Sequence, residues 1–448
     1  MTLRPPATAP RPYRFPDFSR HSLPNGLRVW LVPLPYRELV SVHLLTDAGA
    51  AAEDEAHGGV AALTAQLLVT GTQRLDASAF AETTERLGIQ VSSESSWDSA
   101  RAGFLALGAH LDEGLGLLAE MLRSPRLDES EFDRLKAERL NDILQARADP
   151  GRLADESFLR EVFADDVPYG RLSGGRPDTV EALAVDDVRA FHAGRYAPDV
   201  ADVVIAGAIE PDVALAAVER HLGSWEGSGP GHRTIEPRQR GGRRVVLVDR
   251  PGSVQSELRV GHLGIDRHDE RYFPALVMAA LLGGVFGSRL NRRLREELGY
   301  TYGARASFDP RRAVGPFTAT TAVQTEVTVD AIRELLGQLE GIREAPPTEE
   351  ELTDVRNFLV GVFPLRFEST AGIAAALEPL AMYDLPDDWW QEYRGRLESV
   401  DAGAVHDAAR ALVRPDEALI LLTGDAGRLR DELAGADLGP LEVIEAET

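Results

Sequence analysis

Apolar and polar positions follow a programme along this chain that runs twice. The stretch EALAVDDVRAFHAGRYAPDVADVVIAG, from Glu181, reads as an amphipathic helix, a proline turn and an apolar strand. ESVDAGAVHDAARALVRPDEALILLTG, from Glu398, reads the same way without a gap, at an offset of 217 residues. Val188 falls on Val405, Pro198 on Pro415, Asp199 on Asp416 and Gly207 on Gly424. The apolar strand LRVWLVP from Leu27 matches RRVVLVD from Arg243 at an offset of 216. A helix over 61–68 then falls on 277–284, which places Ala62 opposite Met278. SPRLDESEFDRLKAERL from Ser124 parallels EAPPTEEELTDVRNFLV from Glu344 at 220. A nearly constant offset across several kinds of element predicts an internal duplication.

Within each half, RAGFLALGA from Arg101 and GPFTATTAV from Gly315 read as strands. The helical patterns HLDEGLGLLAEML and TVDAIRELLGQLEGI follow them. The expectation is an α+β chain of two tandem homologous domains, each a mostly antiparallel sheet with helices over one face. The predicted divisions are a proline-rich N-terminal arm over 1–14, a first domain over 15–222, a linker over 223–242, a second domain over 243–440 and a tail over 441–448. The linker is rich in glycine, proline and charge and lacks periodicity.

Composition narrows the classes. At 448 residues the chain is too long for one compact core, and 44% hydrophobic with 27% charged residues is ordinary for a globular protein. No apolar run approaches the ~18 residues of a membrane-spanning helix, and the start lacks the apolar segment of a secretory signal. There is no cysteine, which excludes disulfides and thiolate zinc sites and fits the cytoplasm, the expected location. A net charge of −24 disfavours nucleic acid and anionic membrane as partners.

Several segments together resemble the pitrilysin/insulinase family of zinc peptidases, in the branch of the mitochondrial processing peptidases. They are LPNGLRVWLVP from Leu23, DAGAAAEDEAHGGVAALTAQLLVTGT from Asp47, RYAPDVADVVIAGAI from Arg195, LGGVFGSRLNRRLREELGYTYG from Leu282 and RPDEALILLTGD from Arg414. The family holds zinc with the inverted motif His-x-x-Glu-His, whose two histidines share one helix face with the general base. Counted back from Gly71-Thr72, those positions are Ala62, Ala65 and Gln66. Alanine has no donor atom, and glutamine is a poor zinc ligand and no base at pH 7. The family's third ligand, a glutamate, would fall near Asp142, which alone cannot hold zinc. No two of the ten histidines stand three or four residues apart, so no helical two-histidine site replaces the motif, and His57 before the helix reads as a loop residue. LLGGVFGSRL lacks the Lys-Ser/Thr of a phosphate loop; its glycines suit close helix packing and a turn.

The resemblance also implies a substrate contact. The family carries, in its second half, an arginine and a tyrosine seven residues apart that meet the peptide opposite the zinc. Here they are Arg295 and Tyr302, Arg295 expected in the last turn of a helix and Tyr302 early in the next strand. A guanidinium donates to a peptide carbonyl, and a phenol can donate to a developing oxyanion. The chain is therefore expected to be the non-catalytic subunit of a heterodimeric zinc metallopeptidase, with no metal of its own. Zinc would be held by a homologous partner subunit, and an extended peptide would add to a sheet edge in a closed chamber. The alternative is a catalytically inert scaffold or core-type subunit of a larger complex.

Overall fold

The computed structural model describes residues 11–446. In chain order its strands are β1 (Ser19–Ser22), β2 (Arg28–Pro33), β3 (Leu39–Thr46), β4 (Gln90–Ser95), β5 (Ala100–Leu107) and β6 (Ala201–Gly207), then β7 (Arg244–Asp249), β8 (Gln255–Leu263), β9 (Ala304–Phe308), β10 (Pro316–Gln324), β11 (Leu419–Gly424) and β12 (Leu441–Glu445). They form two sheets of order β1-β2-β6-β3-β5-β4 and β12-β7-β11-β8-β10-β9. Five strands correspond one to one. Among these five, each sheet has one parallel pair, β2 with β6 or β7 with β11, and continues antiparallel to its far edge. The repeat in the sequence is thus a repeat of strand order.

The sixth strands break the repeat. β1 precedes β2 and pairs with it antiparallel, whereas β12 arrives from the far end of the chain and runs parallel to β7. Leu441–Glu445 belongs to the tail of the sequence reading, yet it is a strand. None of its residues is buried, so its alternation of apolar and charged residues is that of an edge strand and is easily taken for a solvated terminus.

Helices lie over both faces of each sheet, more than the one face expected, because the halves exchange a helix. Along β2 and β6, Val29, Leu31, Val203 and Ile205 pack with helices of their own half, Leu111–Arg123 and Pro211–Leu222. The alternate residues Trp30, Val32, Val204 and Ala206 join the core of the second half, which includes helix Thr370–Tyr383. The second sheet reciprocates: Val246, Val248, Leu419 and Leu421 pack on Leu153, Ala154, Phe158 and Val162 of helix Pro150–Val162 from the first half. Strict alternation along a strand sends successive side chains to opposite faces, and here the two faces serve two different cores.

A polar contact locks each exchange at an equivalent place. On β3, His43 Nδ1 is 2.5 Å from Glu378 of the helix contributed by the second half, and Arg101 also donates to Glu378 at 3.0 Å. On β8, 216 residues on, Arg259 donates to Asp155 of the first-half helix at 2.5 Å. The chain start adds a further tie. Residues 1–10 of the predicted arm lie outside the described residues, but Phe15 is buried against Phe367 and Trp390, and Tyr13 stacks on Phe367. The linker is anchored as well: the Gln239 side chain donates to the Glu417 carbonyl at 2.6 Å and accepts from the Leu263 amide at 3.0 Å. No single helix among the described residues is long and apolar enough to cross a membrane.

Candidate functional site

The degenerate motif lies on helix Val60–Leu68. Gly59 starts it in the left-handed region (φ 98°), and a Cβ there would meet Val180 and the Gly174 carbonyl at 2.9 and 3.0 Å, so the turn needs glycine. Ala62 and Gln66 share a half-exposed face, while Ala65 is fully buried. Asp142 is exposed on helix Glu129–Ala148. Among the described residues no group of three or more histidine, aspartate or glutamate side chains is arranged to hold a metal ion. Two methyl groups and an amide where the family has imidazoles and a carboxylate do not fit zinc, whatever Asp142 contributes.

The polar group that does occupy this end of the helix escaped the sequence reading. Glu53 is buried, and its carboxylate accepts from the amides of Gly59 at 3.1 Å and Ala61 at 2.8 Å, the unsatisfied donors of the first turn. Burial pushes the Glu53 carboxyl up to about 7, against the pull of those amides and of nearby Arg171. In AAEDEAHGG it looks like one of three solvated acids; only the fold turns it inward. His57 is in a short surface turn, 2.7 Å from Asp54, whose hydrogen bond raises the imidazole's pKa. This is the loop role expected of it.

The second half presents a cavity of about 1000 Å³ lined by both Arg295 and Tyr302. No residue of helix Val60–Leu68 lines it. Its walls are the segment 283–286, the backbone of β9 and the faces of β8 and β10. The glycines bring these walls together, since a Cβ on Gly283 would lie 2.2 Å from the Ala306 nitrogen. Arg295 ends a wide π-helical turn, Asn291–Glu297, followed by Gly299 at φ 67°. Tyr302 is not in the strand as expected. It precedes β9 in a turn and is 95% exposed. Asn291 holds that turn to the helix: its amide donates to the Ala304 carbonyl at 3.0 Å and accepts from the Ala304 amide at 2.9 Å. Thr301 bonds both backbone groups of Gly303. Side chains therefore complete a backbone that strand pairing leaves open between the helix and β9.

The side chains of Arg295 and Tyr302 make no hydrogen bond or ion pair with any other described residue. The Arg295 guanidinium lies over the Phe286 ring, 4.3 Å from its centre, and Phe286 is itself 66% exposed. Nearby arginines behave differently: Arg289 is bidentate to Glu351 at 2.9 Å, and Arg293 clamps Glu334 at 2.7 and 2.9 Å. In a chain with 72 acidic residues, an arginine and a phenol at one cavity wall with no hydrogen-bond or ion-pair partner among the described residues make this cavity the candidate site.

Comparison with known proteins bears on both halves. Residues 28–166 match the model of the insulinase (peptidase family M16) domain, and residues 182–359 match that of the peptidase M16 inactive domain. The chain is 25% identical over 391 residues to the non-peptidase homolog YmxG of Helicobacter pylori, covering 85% of this chain and 89% of that protein. It is 24% identical over 428 residues to an uncharacterized zinc protease of Streptomyces coelicolor, covering 93% and 92%. A crystal structure of a peptidase M16 inactive domain from Pseudomonas fluorescens superposes with a TM-score of 0.85 at 25% identity, over 91% of this chain and 98% of that one.

Proposed function

The chain belongs to the insulinase (M16) peptidase family as a non-catalytic member, and from that premise we propose that it is the substrate-holding subunit of a heterodimeric peptidase. A homologous zinc-bearing chain supplies the hydrolytic centre. This chain supplies Arg295 and Tyr302 from the opposite wall of a shared chamber. The observation that carries the reading is their common cavity, with Tyr302 exposed, Arg295 half-buried over Phe286, and neither side chain hydrogen-bonded or ion-paired among the described residues. The Arg295 guanidinium donates to a carbonyl of the bound peptide. The Tyr302 hydroxyl donates to the oxygen that gains charge at the scissile carbonyl. A donor aimed at charge that develops only in the transition state acts on kcat, whereas one used equally before and during reaction acts on KM.

The test is steady-state kinetics on an unstructured peptide, with a homologous zinc-bearing chain from the same source co-expressed and the pair purified. Tyr302→Phe lowers kcat by about 10-fold to 1000-fold, the range for losing one oxyanion donor. Arg295→Ala mainly raises KM. Wild-type rates from both variants in an intact pair would reject the reading and leave an inert scaffold. The isolated chain is expected to hold no stoichiometric zinc by metal analysis; about one zinc per chain, removed by a chelator together with peptidase activity, would contradict the non-catalytic assignment.

A further inference from the structure

The cavity that holds Arg295 and Tyr302 has a floor of its own. Cross-strand register aligns Arg305 of β9 with Thr320 of β10, and Thr320 with Arg259 of β8. Residues directly opposite on neighbouring strands point to the same face, and two strand spacings span about 10 Å. All three line the cavity, so its floor is a row of guanidinium, hydroxyl and guanidinium.

The two ends of this row differ. Arg259 is buried and fully engaged: it donates to Asp155 at 2.5 Å, to Glu257 at 3.2 Å and to the carbonyls of Leu258 and Gly151 at 3.0 Å. Among the described residues Asp155 and Glu257 are the acids that line the cavity, and both are held by Arg259. At the open end Arg305 is exposed, and neither Arg305 nor Thr320 has a side-chain partner among the described residues. With Arg295, the cavity holds three arginines to two acids, a positive sum in a chain of net charge −24. Asp155 already shows how a carboxylate from another element settles on this row. No acid among the described residues pairs with Arg305, and a cationic residue of a ligand would find no unengaged carboxylate among those lining the cavity.

We propose that Arg305, with Thr320 beside it, is a subsite for a carboxylate of the bound peptide, so that this chain prefers acidic segments or a free C-terminus over basic ones. This rests on the reading of the cavity as a peptide site. A guanidinium and a hydroxyl offer a carboxylate two or more charge-assisted hydrogen bonds.

Isothermal titration calorimetry on the full chain tests it with four peptides of one apolar frame: end-capped with two glutamates, end-capped with two glutamines, end-capped with two lysines, and the glutamine peptide with a free C-terminal carboxylate. The end-capped glutamate peptide, or the one with a free terminus, should bind about 10-fold tighter than its capped glutamine counterpart. Which of the two gains identifies the source of the carboxylate. Arg305→Gln should erase that gain and Arg305→Lys should keep part of it. Equal affinities, or tighter binding of the lysine peptide, would overturn the carboxylate preference and leave the peptide site standing. A gain that survives Arg305→Gln would overturn the assignment to this row. Failure of all four peptides to bind would overturn the peptide site itself.

Discussion

The helix end at Gly59 and the cavity at Arg295 lie in different halves of a duplicated fold, and they treat their polar groups in opposite ways. At the first, the polar group that remains, Glu53, is buried and gives its bonds to the backbone amides of its own helix. At the second, Asn291 ties the backbone near Tyr302 to the helix, while the side chains of Arg295 and Tyr302 make no hydrogen bond or ion pair among the described residues and Arg295 rests on Phe286. A buried polar group with every bond satisfied is explained by stability alone. An exposed phenol beside a half-buried arginine, neither hydrogen-bonded nor ion-paired among the described residues, is not, and the difference makes the cavity of the second half the candidate site.

Three measurements can break that contrast, taken from the largest expected effect to the smallest. Tyr302→Phe should cost the assembled pair up to about 1000-fold in kcat while leaving the unfolding free energy of the chain within about 0.5 kcal/mol, because an exposed phenol leaves no buried partner behind. A stability loss of several kcal/mol with unchanged turnover would make it a structural residue after all.

Glu53 should show the reverse, an effect on stability and none on chemistry. Its carboxyl titrates near 4.5 when unfolded and at about 7 when folded. Below pH 4.5 it is protonated in both states. As pH rises from 4.5 to 7 the unfolded chain releases the proton first, so the folded state loses stability, on the order of 3 kcal/mol in all, and above 7 the loss is complete. Urea unfolding of wild type and Glu53→Gln at a series of pH values reads this directly. The variant should lack that part of the downward slope, since its amide oxygen still accepts from Gly59 and Ala61 without titrating. Parallel pH profiles would remove Glu53 from the account.

The smallest effect concerns the paired locks between the halves. Arg259 loses Asp155 in Asp155→Ala but keeps Glu257 and two carbonyls, and Asp155 is 63% exposed. About 1 kcal/mol or less is expected. Glu378→Ala removes the acid that serves both His43 and Arg101 at a less exposed place, for about 2 kcal/mol. Chemical denaturation ranks the two; a larger loss from Asp155→Ala would reverse the reading of which lock holds the halves together.

The sequence by itself determined the duplication, the strands and the degenerate motif, because these rest on local periodicity and on side chains that lack donor atoms in any conformation. Val188 over Val405, and Ala62 and Gln66 in place of histidines, need no tertiary context. Only the tertiary structure decided which core each strand face serves. A run such as VVIAG in β6 says that both faces are buried but not by what, and helix Thr370–Tyr383 arrives from the other half of the chain. It also decided that Leu441–Glu445 is an edge strand, since pairing with β7 comes from contact across nearly 200 residues of chain. The turn holding Tyr302, the inward rotation of Glu53 and the row from Arg305 to Arg259 were out of reach for the same reason. Register and burial are set by partners distant in the chain, and alternation along one strand fixes only that successive residues point opposite ways.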